Sequence, residues 1–341
     1  MNRFSYLRAE RLDEVIQALS ADPTAKVVAG GTNLIDLMKY NVERPARLVD
    51  VTRIPGLATI EETEGGGLRI GALVSNTEVA YDPRIVERYP LLSSAILAGA
   101  TPQLRNAAST GGNLNQRTRC YYFYDPDTPC NKREPGTGCP AIEGVNRNHA
   151  ILGQSEHCIA THPSDMCVAL AALDAVVHVI GPSGTRVLLM TEYHRLPGDR
   201  PEVDTNLAHD EIVTAVELPA EGQAFTVNHT YLKLRDRLSY AFALVSVAAG
   251  LQLEDGVIRK ARIALGGVAH KPWRRSDAED RLIGKSVGAD TFATAADQLL
   301  EGAQGYEHNA FKIGLARKAI IRALGQAAAG TPQSQVDKRI H

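Results

Sequence analysis

An excess of charge of one sign is what this 341-residue chain most plainly lacks: 37 Lys and Arg stand against 39 Asp and Glu, a formal charge of −2. With no basic surplus and no block of like charge, the electrostatic footprint of a nucleic-acid binder is missing. Long apolar runs are missing too. The longest nearly apolar stretch, Tyr240 to Leu251, is far short of the ~20 residues a spanning helix needs, so no membrane span is expected. The opening MNRFSYLRAERLDE reaches an acidic amphipathic pattern without an apolar stretch, so the expectation is folding in the cytoplasm with no secretory signal of its own. There is no nucleophile elbow, no H-E-x-x-H and no paired-carboxylate signature, which argues against a self-contained hydrolase. Cysteine is absent from 293 of the residues, and all five, Cys120, Cys130, Cys139, Cys158 and Cys167, fall within 48 consecutive positions. A chain long enough for two or three domains does not need disulfide staples. Its thiols therefore read as buried side chains, metal ligands or redox groups.

What is present begins as alternating α and β elements. Leu12, Val15, Ile16 and Leu19 have helical spacing. Lys26 to Ala29 reads as a short strand halted by Gly30-Gly31, and Thr32 is then placed to cap a helix whose apolar face is Leu34, Ile35, Leu37 and Met38. Arg47 to Val51 is a second strand, which fits a small parallel βαβ unit. From Ile60 the period changes, and runs at 59–62 and 68–72 flank Gly65-Gly66-Gly67 as a hairpin. A helix at 91–97 is followed by a polar, aperiodic stretch from about 111 to 164, too long for an ordinary connection unless something other than an apolar core organises it. Beyond lie a helix at 166–172, strands at 175–180, 211–218, 225–233, 242–253 and 258–265, helices at 291–300 and 313–324, and a polar tail expected to be loose.

Two glycine pairs and the cysteines are the candidate chemistry. Ala29-Gly30-Gly31-Thr32-Asn33-Leu34, between a strand and a helix, reads either as a tight turn or as a backbone cradle for an anion; its spacing matches neither the Rossmann nor the P-loop pattern. Thr110-Gly111-Gly112-Asn113-Leu114 carries the same two readings. Cys120, Cys130, Cys139 and Cys158 sit among Arg, Asn, Pro and Gly, not the apolar surroundings that structural thiols prefer. They contain no C-x-x-C, which disfavours a zinc ribbon and leaves scattered free thiols or an iron–sulfur cluster. Cys167 lies in the helical apolar run Asp165-Met166-Cys167-Val168-Ala169-Leu170 and reads as a core thiol. His149 and His157 read as solvated loop histidines, Asp165 as a helix cap and Asp174 as a helix-end carboxylate.

The segments AGGTNL at Ala29–Leu34, LRNAASTGGNL at Leu104–Leu114, HPSDMCVALAALDA at His162–Ala175 and ALGGVAHKPWR at Ala264–Arg274 resemble the FAD-binding subunits of the molybdenum hydroxylases, the xanthine dehydrogenase family. The resemblance spans essentially the whole chain. The cysteine-bearing segment between TGGN and the SD helix makes it similar to the FAD subunits of bacterial periplasmic aldehyde oxidoreductases. It is similar also to the flavin subunit of 4-hydroxybenzoyl-CoA reductase, in which an equivalent insertion holds a [4Fe–4S] cluster.

The resemblance implies an α+β fold: a two-lobed FAD domain of the p-cresol methylhydroxylase type over 1–225, then a smaller antiparallel-sheet-plus-helices domain over 226–330 and a tail over 331–341. Within the first, lobe one covers about 1–58 and lobe two about 59–225, with a cluster-binding insertion at about 115–160. It implies that Val28, Ala29, Gly30, Gly31, Thr32, Asn33 and Leu34 wrap the FAD diphosphate. Thr110, Gly112 and Asn113 would approach the flavin, Asp165 would lie near the ribityl hydroxyls, Leu218 near the ring, and Lys233 at its polar edge, where a cation stabilises reduced flavin. Cys120, Cys130, Cys139 and Cys158 would ligate the [4Fe–4S] cluster. The implied partners are a large molybdenum-cofactor subunit, a small subunit with two [2Fe–2S] clusters, and an external electron acceptor. A twin-arginine signal on the small partner would export the folded complex. The alternatives are a flavin subunit of an aromatic acyl-CoA reductase or xanthine dehydrogenase, a stand-alone FAD oxidoreductase, and a zinc-binding interaction module.

Overall fold

A computed structural model describes residues Met1 to Asp337. Three sheets organise them. The first is parallel: β1 (Ser5–Arg8), β2 (Lys26–Val28) and β3 (Arg47–Asp50), with β3 in the middle. Helix Leu12–Ala21 buries Val15, Ala18 and Leu19 with Val49 and Val51, the stripe that its spacing predicts. β1 has no sequence signal because it is a mostly exposed edge strand without alternation. Thr32 does not cap the next helix, Leu34–Lys39: Asn33 occupies that position, and its side chain serves another contact described below.

The second sheet is antiparallel, in the order β4 (Ile60–Glu62), β5 (Leu68–Gly71), β8 (Ile212–Leu218), β6 (Val176–Gly181), β7 (Gly184–Leu189). Helices Pro90–Ala98 and Asp165–Ala172 are buried on nearly every side between this sheet and the third, so both read as apolar without a clear polar face. Ser164, not Asp165, caps the latter helix, its Oγ accepting from Cys167 N at 3.0 Å.

The third sheet is β9 (His229–Leu234), β10 (Val245–Glu254), β11 (Val257–Gly266) and β12 (Trp273–Arg274), antiparallel in the order β12-β11-β10-β9. Its outer face packs on helices Ala289–Leu299 and Phe311–Ala328, while Tyr231, Ala248 and Ala264 on the inner face join the core of the second sheet. Burial of β10 on both faces explains its continuous apolar sequence. The architecture is α+β, an N-terminal pair of lobes followed by an antiparallel-sheet-plus-helices unit. Of the tail expected to be loose, residues 331–337 lie along β9, with Gln333 N donating to Thr230 Oγ1 at 2.9 Å and Gln335 Nε2 to Tyr231 O at 3.0 Å. Residues 338–341 fall outside the described residues. No helix among the described residues is long and apolar enough to cross a membrane.

The cysteine-bearing segment is folded by turns and hydrogen bonds. Asn131 Oδ1 accepts from Gly136 N and Gly138 N, and its Nδ2 donates to His157 O at 3.0 Å. Leu37, Phe123 and Cys130 form a small apolar cluster beneath it. From the last helix, Lys312 Nζ donates to His149 O at 2.8 Å and Gly267 O at 2.6 Å, tying the segment to the third sheet.

Candidate functional site

The first glycine pair sits where the two N-terminal lobes touch. A Cβ on Gly30 would lie 1.7 Å from Ala107 O, so only glycine permits this loop to lie against the end of helix Pro102–Ala107. Gly31 has φ +69°, left-handed backbone that disfavours other residues. Asn33 Oδ1 accepts from Arg117 N at 2.8 Å, locking the loop to the second lobe. Among the described residues, the N–H groups of Gly30, Gly31, Thr32, Asn33 and Leu34 donate to no backbone carbonyl. Five successive donors without a backbone acceptor in a half-exposed loop are the chemistry an anion requires. The second glycine pair is a short helix, Thr110–Leu114, capped by Ser109. Thr110 Oγ1 donates to Val74 O at 2.9 Å; Asn113 Nδ2 donates to Asn76 Oδ1 at 2.7 Å and its Oδ1 accepts from Ser164 Oγ at 2.5 Å. Both side chains thus brace the segment.

Asp165 and Lys233, predicted separately, meet. Lys233 Nζ lies 2.7 Å from Asp165 Oδ2 with both side chains almost wholly buried, and Tyr231 OH donates to Asp165 Oδ1 at 2.7 Å. Burial and the Asp165 charge push the Tyr231 phenol well above its usual range, so it stays a donor. Asp165 and Ser246 line one side of a cleft of about 190 Å³, and Arg119, Cys120 and His149 line it farther along. The cleft therefore runs from the carboxylate to the cysteine segment. Leu218 stands apart from it: wholly buried, opposite Leu68 in the ladder, with its carbonyl near Tyr89 OH.

Cys120, Cys130, Cys139 and Cys158 line one space, together with Asn131, Lys132 and His149. Burial pushes the Cys120 thiol up to about 12 and the Cys158 thiol up to about 11, and Cys139 also upward. Deprotonating such thiols takes a nearby cation or metal. His149 is not solvated as its loop position suggests: it is 3% exposed and its Nε2 lies 3.1 Å from Cys120 Sγ. His157, 44% exposed at its side chain, does reach water. Tetrahedral zinc holds its sulfur ligands roughly 3.8 Å apart. Among the described residues, the group of three His, Cys, Asp or Glu ligand atoms within 4.8 Å of one another lies elsewhere, at His162, Cys167 and His194. The loop sulfurs form no such group of three among the described residues.

A charge network missed from the sequence joins the loop and the cysteines. Asp204 lies 2.8 Å from Arg117 Nε and 2.5 Å from Lys132 Nζ, and Arg117 Nη1 lies 2.6 Å from Glu43. These cations hold the Asp204 carboxyl far below the usual carboxylate range despite its burial. Nothing in sequence marks it, because the partners are separated by 72 to 87 residues.

Comparison with known proteins places this arrangement. Residues 2–221 match the FAD binding domain in molybdopterin dehydrogenase, and residues 229–327 the CO dehydrogenase flavoprotein C-terminal domain. The chain belongs to the FAD-binding subunits of the molybdenum hydroxylases. It is 50% identical over 330 residues to the aldehyde oxidoreductase FAD-binding subunit PaoB of Escherichia coli K12, covering 96% of this chain and 99% of that one. It is 27% identical over 333 residues to the carbon monoxide dehydrogenase medium chain of Hydrogenophaga pseudoflava, covering 95% and 97%. Quinoline 2-oxidoreductase from Pseudomonas putida 86 superposes with a TM-score of 0.73 at 27% identity, covering 97% and 98% of the two chains. For a FAD-binding subunit of this family, the residues present fit the cofactor. The Gly30–Leu34 donors suit a diphosphate, and the close approach at Gly30 sets this loop against Ala107 and Ala108, just ahead of the second glycine segment.

Proposed function

We propose that this FAD-binding subunit also carries a [4Fe–4S] cluster on Cys120, Cys130, Cys139 and Cys158, and that it is the electron-transfer subunit of a heterotrimeric, molybdenum-dependent aldehyde oxidoreductase. The observation that carries the reading is the gathering of those four sulfurs round one space. The aldehyde assignment is supported by the 50% identity to an aldehyde oxidoreductase subunit along nearly the whole of both chains. The partners on this reading are a large molybdenum-cofactor subunit and a small [2Fe–2S] subunit, and the complex is exported folded with a twin-arginine partner.

When bound, FAD accepts electrons singly and stores two, while an iron–sulfur cluster carries one at a time. This chain's own residues supply position and electrostatics. The backbone donors from Gly30 to Leu34 hold the diphosphate, with Val28 and Ala29 setting the loop at the end of β2, and Thr110, Gly112 and Asn113 brace the facing wall through hydrogen bonds to Val74, Ser109 and Asn76. Asp165, oriented by Tyr231 and Lys233, presents a fixed carboxylate to the cleft for the ribityl chain. Lys233 contributes positive charge to the flavin site while paired to Asp165, and Leu218 acts through the packing of the lobe. The cleft continues to Cys120, which supports a role for the cysteine segment in passing electrons onward.

The test uses the assembled complex with Cys130→Ser. Flavin reduction by aldehyde under anaerobic conditions stays at the wild-type rate, while delivery to a haem or iron–sulfur protein acceptor slows. Unchanged rates with every acceptor would refute the electron-transfer role of the cysteine segment.

A further inference from the structure

Beside the flavin cleft, whose wall includes His162, three segments bring imidazoles and the remaining thiol together. Helix Asp165–Ala172 supplies Cys167, wholly buried; His162 precedes that helix and is tied by its backbone N to Ala269 O at 3.0 Å; His194 follows helix Met190–Tyr193. We propose that His162, Cys167 and His194 form a third centre, a mononuclear site for a borderline-soft d10 cation of the zinc class.

Ligand atoms of the first three lie within 4.8 Å of one another, within a small contraction of the roughly 3.5 Å edges of a tetrahedron with zinc–nitrogen and zinc–sulfur bonds. The rings of His162 and His194 are 4.1 Å apart at their centroids, tilted by 50°. His194 is 2% exposed, and its Nε2 donates to Leu114 O at 2.8 Å. That bond fixes the tautomer and leaves Nδ1 with a lone pair, and this Nδ1 is buried without a partner. Donation of one ring N–H to a backbone carbonyl while the other nitrogen is free is the usual arrangement of a metal-ligating histidine. His162 Nε2 is also buried without a partner, and its Nδ1 accepts from Ser164 N at 3.4 Å, so ligation through Nε2 moves the ring proton to Nδ1 and replaces that long contact. His270, 4% exposed, lies nearby with its Nδ1 2.9 Å from Arg195 O, but its Nε2 faces Asp204 Oδ1 at 3.9 Å and belongs to that charge network.

Two buried imidazole nitrogens without a partner, one on each proposed histidine ligand, are costly unless something satisfies them. The ligand chemistry selects the ion. Thiolate and imidazole suit zinc-class metals, whereas magnesium and calcium take oxygen ligands. The centre shares no ligand with the proposed [4Fe–4S] site or with the Gly30–Leu34 loop, although His162 also lines the flavin cleft.

The test is made on the holoprotein in its complex, with Zn²⁺ as the probe: one equivalent is added anaerobically, excess is removed, and zinc, iron, sulfide and flavin are counted per chain. The wild type retains about one zinc. Cys167→Ser and the near-isosteric His194→Gln each weaken zinc retention by at least about tenfold with iron, sulfide and flavin unchanged. Cys130→Ser loses iron and keeps zinc. Retained flavin reports folding of each variant, so His194→Gln decides if Cys167→Ser does not fold. Absence of zinc in the wild type, or zinc retained when both Cys167 and His194 are replaced, overturns the proposal.

Discussion

Asp204 is the residue whose removal reports most cleanly on how the two proposed cofactor regions are held together. Replacing it with Ala removes the carboxylate from Lys132 Nζ at 2.5 Å and Arg117 Nε at 2.8 Å. Arg117 keeps Glu43 at 2.6 Å, but Lys132, 1% exposed at its side chain, is left with only the Pro201 carbonyl. Removing one partner of a buried ion pair costs about 3–5 kcal/mol. Because the Asp204 side chain is 27% exposed, the lower end, ~3 kcal/mol, is expected. At ~2 °C per kcal/mol for a chain of this size, the unfolding midpoint falls by about 6 °C. The double variant Asp204→Ala/Lys132→Met removes the stranded ammonium and recovers most of that loss. The pH dependence has a definite sign. The folded-state pKa of Asp204 is depressed, so its contribution is fully present above its unfolded value near ~4 and is lost only as pH falls below it. Thermal scans of the three proteins at pH 7 and in the acid range test this. A midpoint unchanged in Asp204→Ala, or a double variant no more stable than the single, would refute the reasoning.

Gly30→Ala drives a methyl into the Ala107 carbonyl and should lower bound flavin per chain by more than half, read as flavin absorbance, while far-ultraviolet dichroism is retained. Lys233→Met strands the Asp165 carboxylate, which keeps only Tyr231; a loss of ~3 kcal/mol is expected in denaturant unfolding, with weaker FAD binding by titration. Lys312, pushed down to about 7 by burial, binds fewer protons folded than unfolded between pH 7 and its ordinary ~10.4, so its contribution makes stability rise with pH there. Lys312→Met should remove that slope from the difference between variant and wild-type denaturation curves.

The sequence carried the local grammar and not the convergence. Helix Leu12–Ala21, the glycine-stopped strand β2 and the hairpin of β4 and β5 were legible because each depends on residues a few positions apart. β1 was invisible, since its exposed edge residues need β3 to become a strand. The TGGN segment reads as a turn because of its glycines, yet Ser109 supplies a cap and neighbouring helices do the rest. Asp165 and Lys233 were each singled out, but their pairing depends on β9 crossing the end of helix Asp165–Ala172. His149 looked solvated because its sequence neighbours are polar; Asn309 and Lys312, from far along the chain, bury it.

The most direct measurement is iron and acid-labile sulfide per chain in anaerobically purified protein, alongside flavin. The account predicts about four of each with FAD bound, and loss of both iron and sulfide together in Cys120→Ser. Flavin without iron in the wild type would contradict the cluster and leave the gathered cysteines of the insertion without a redox role.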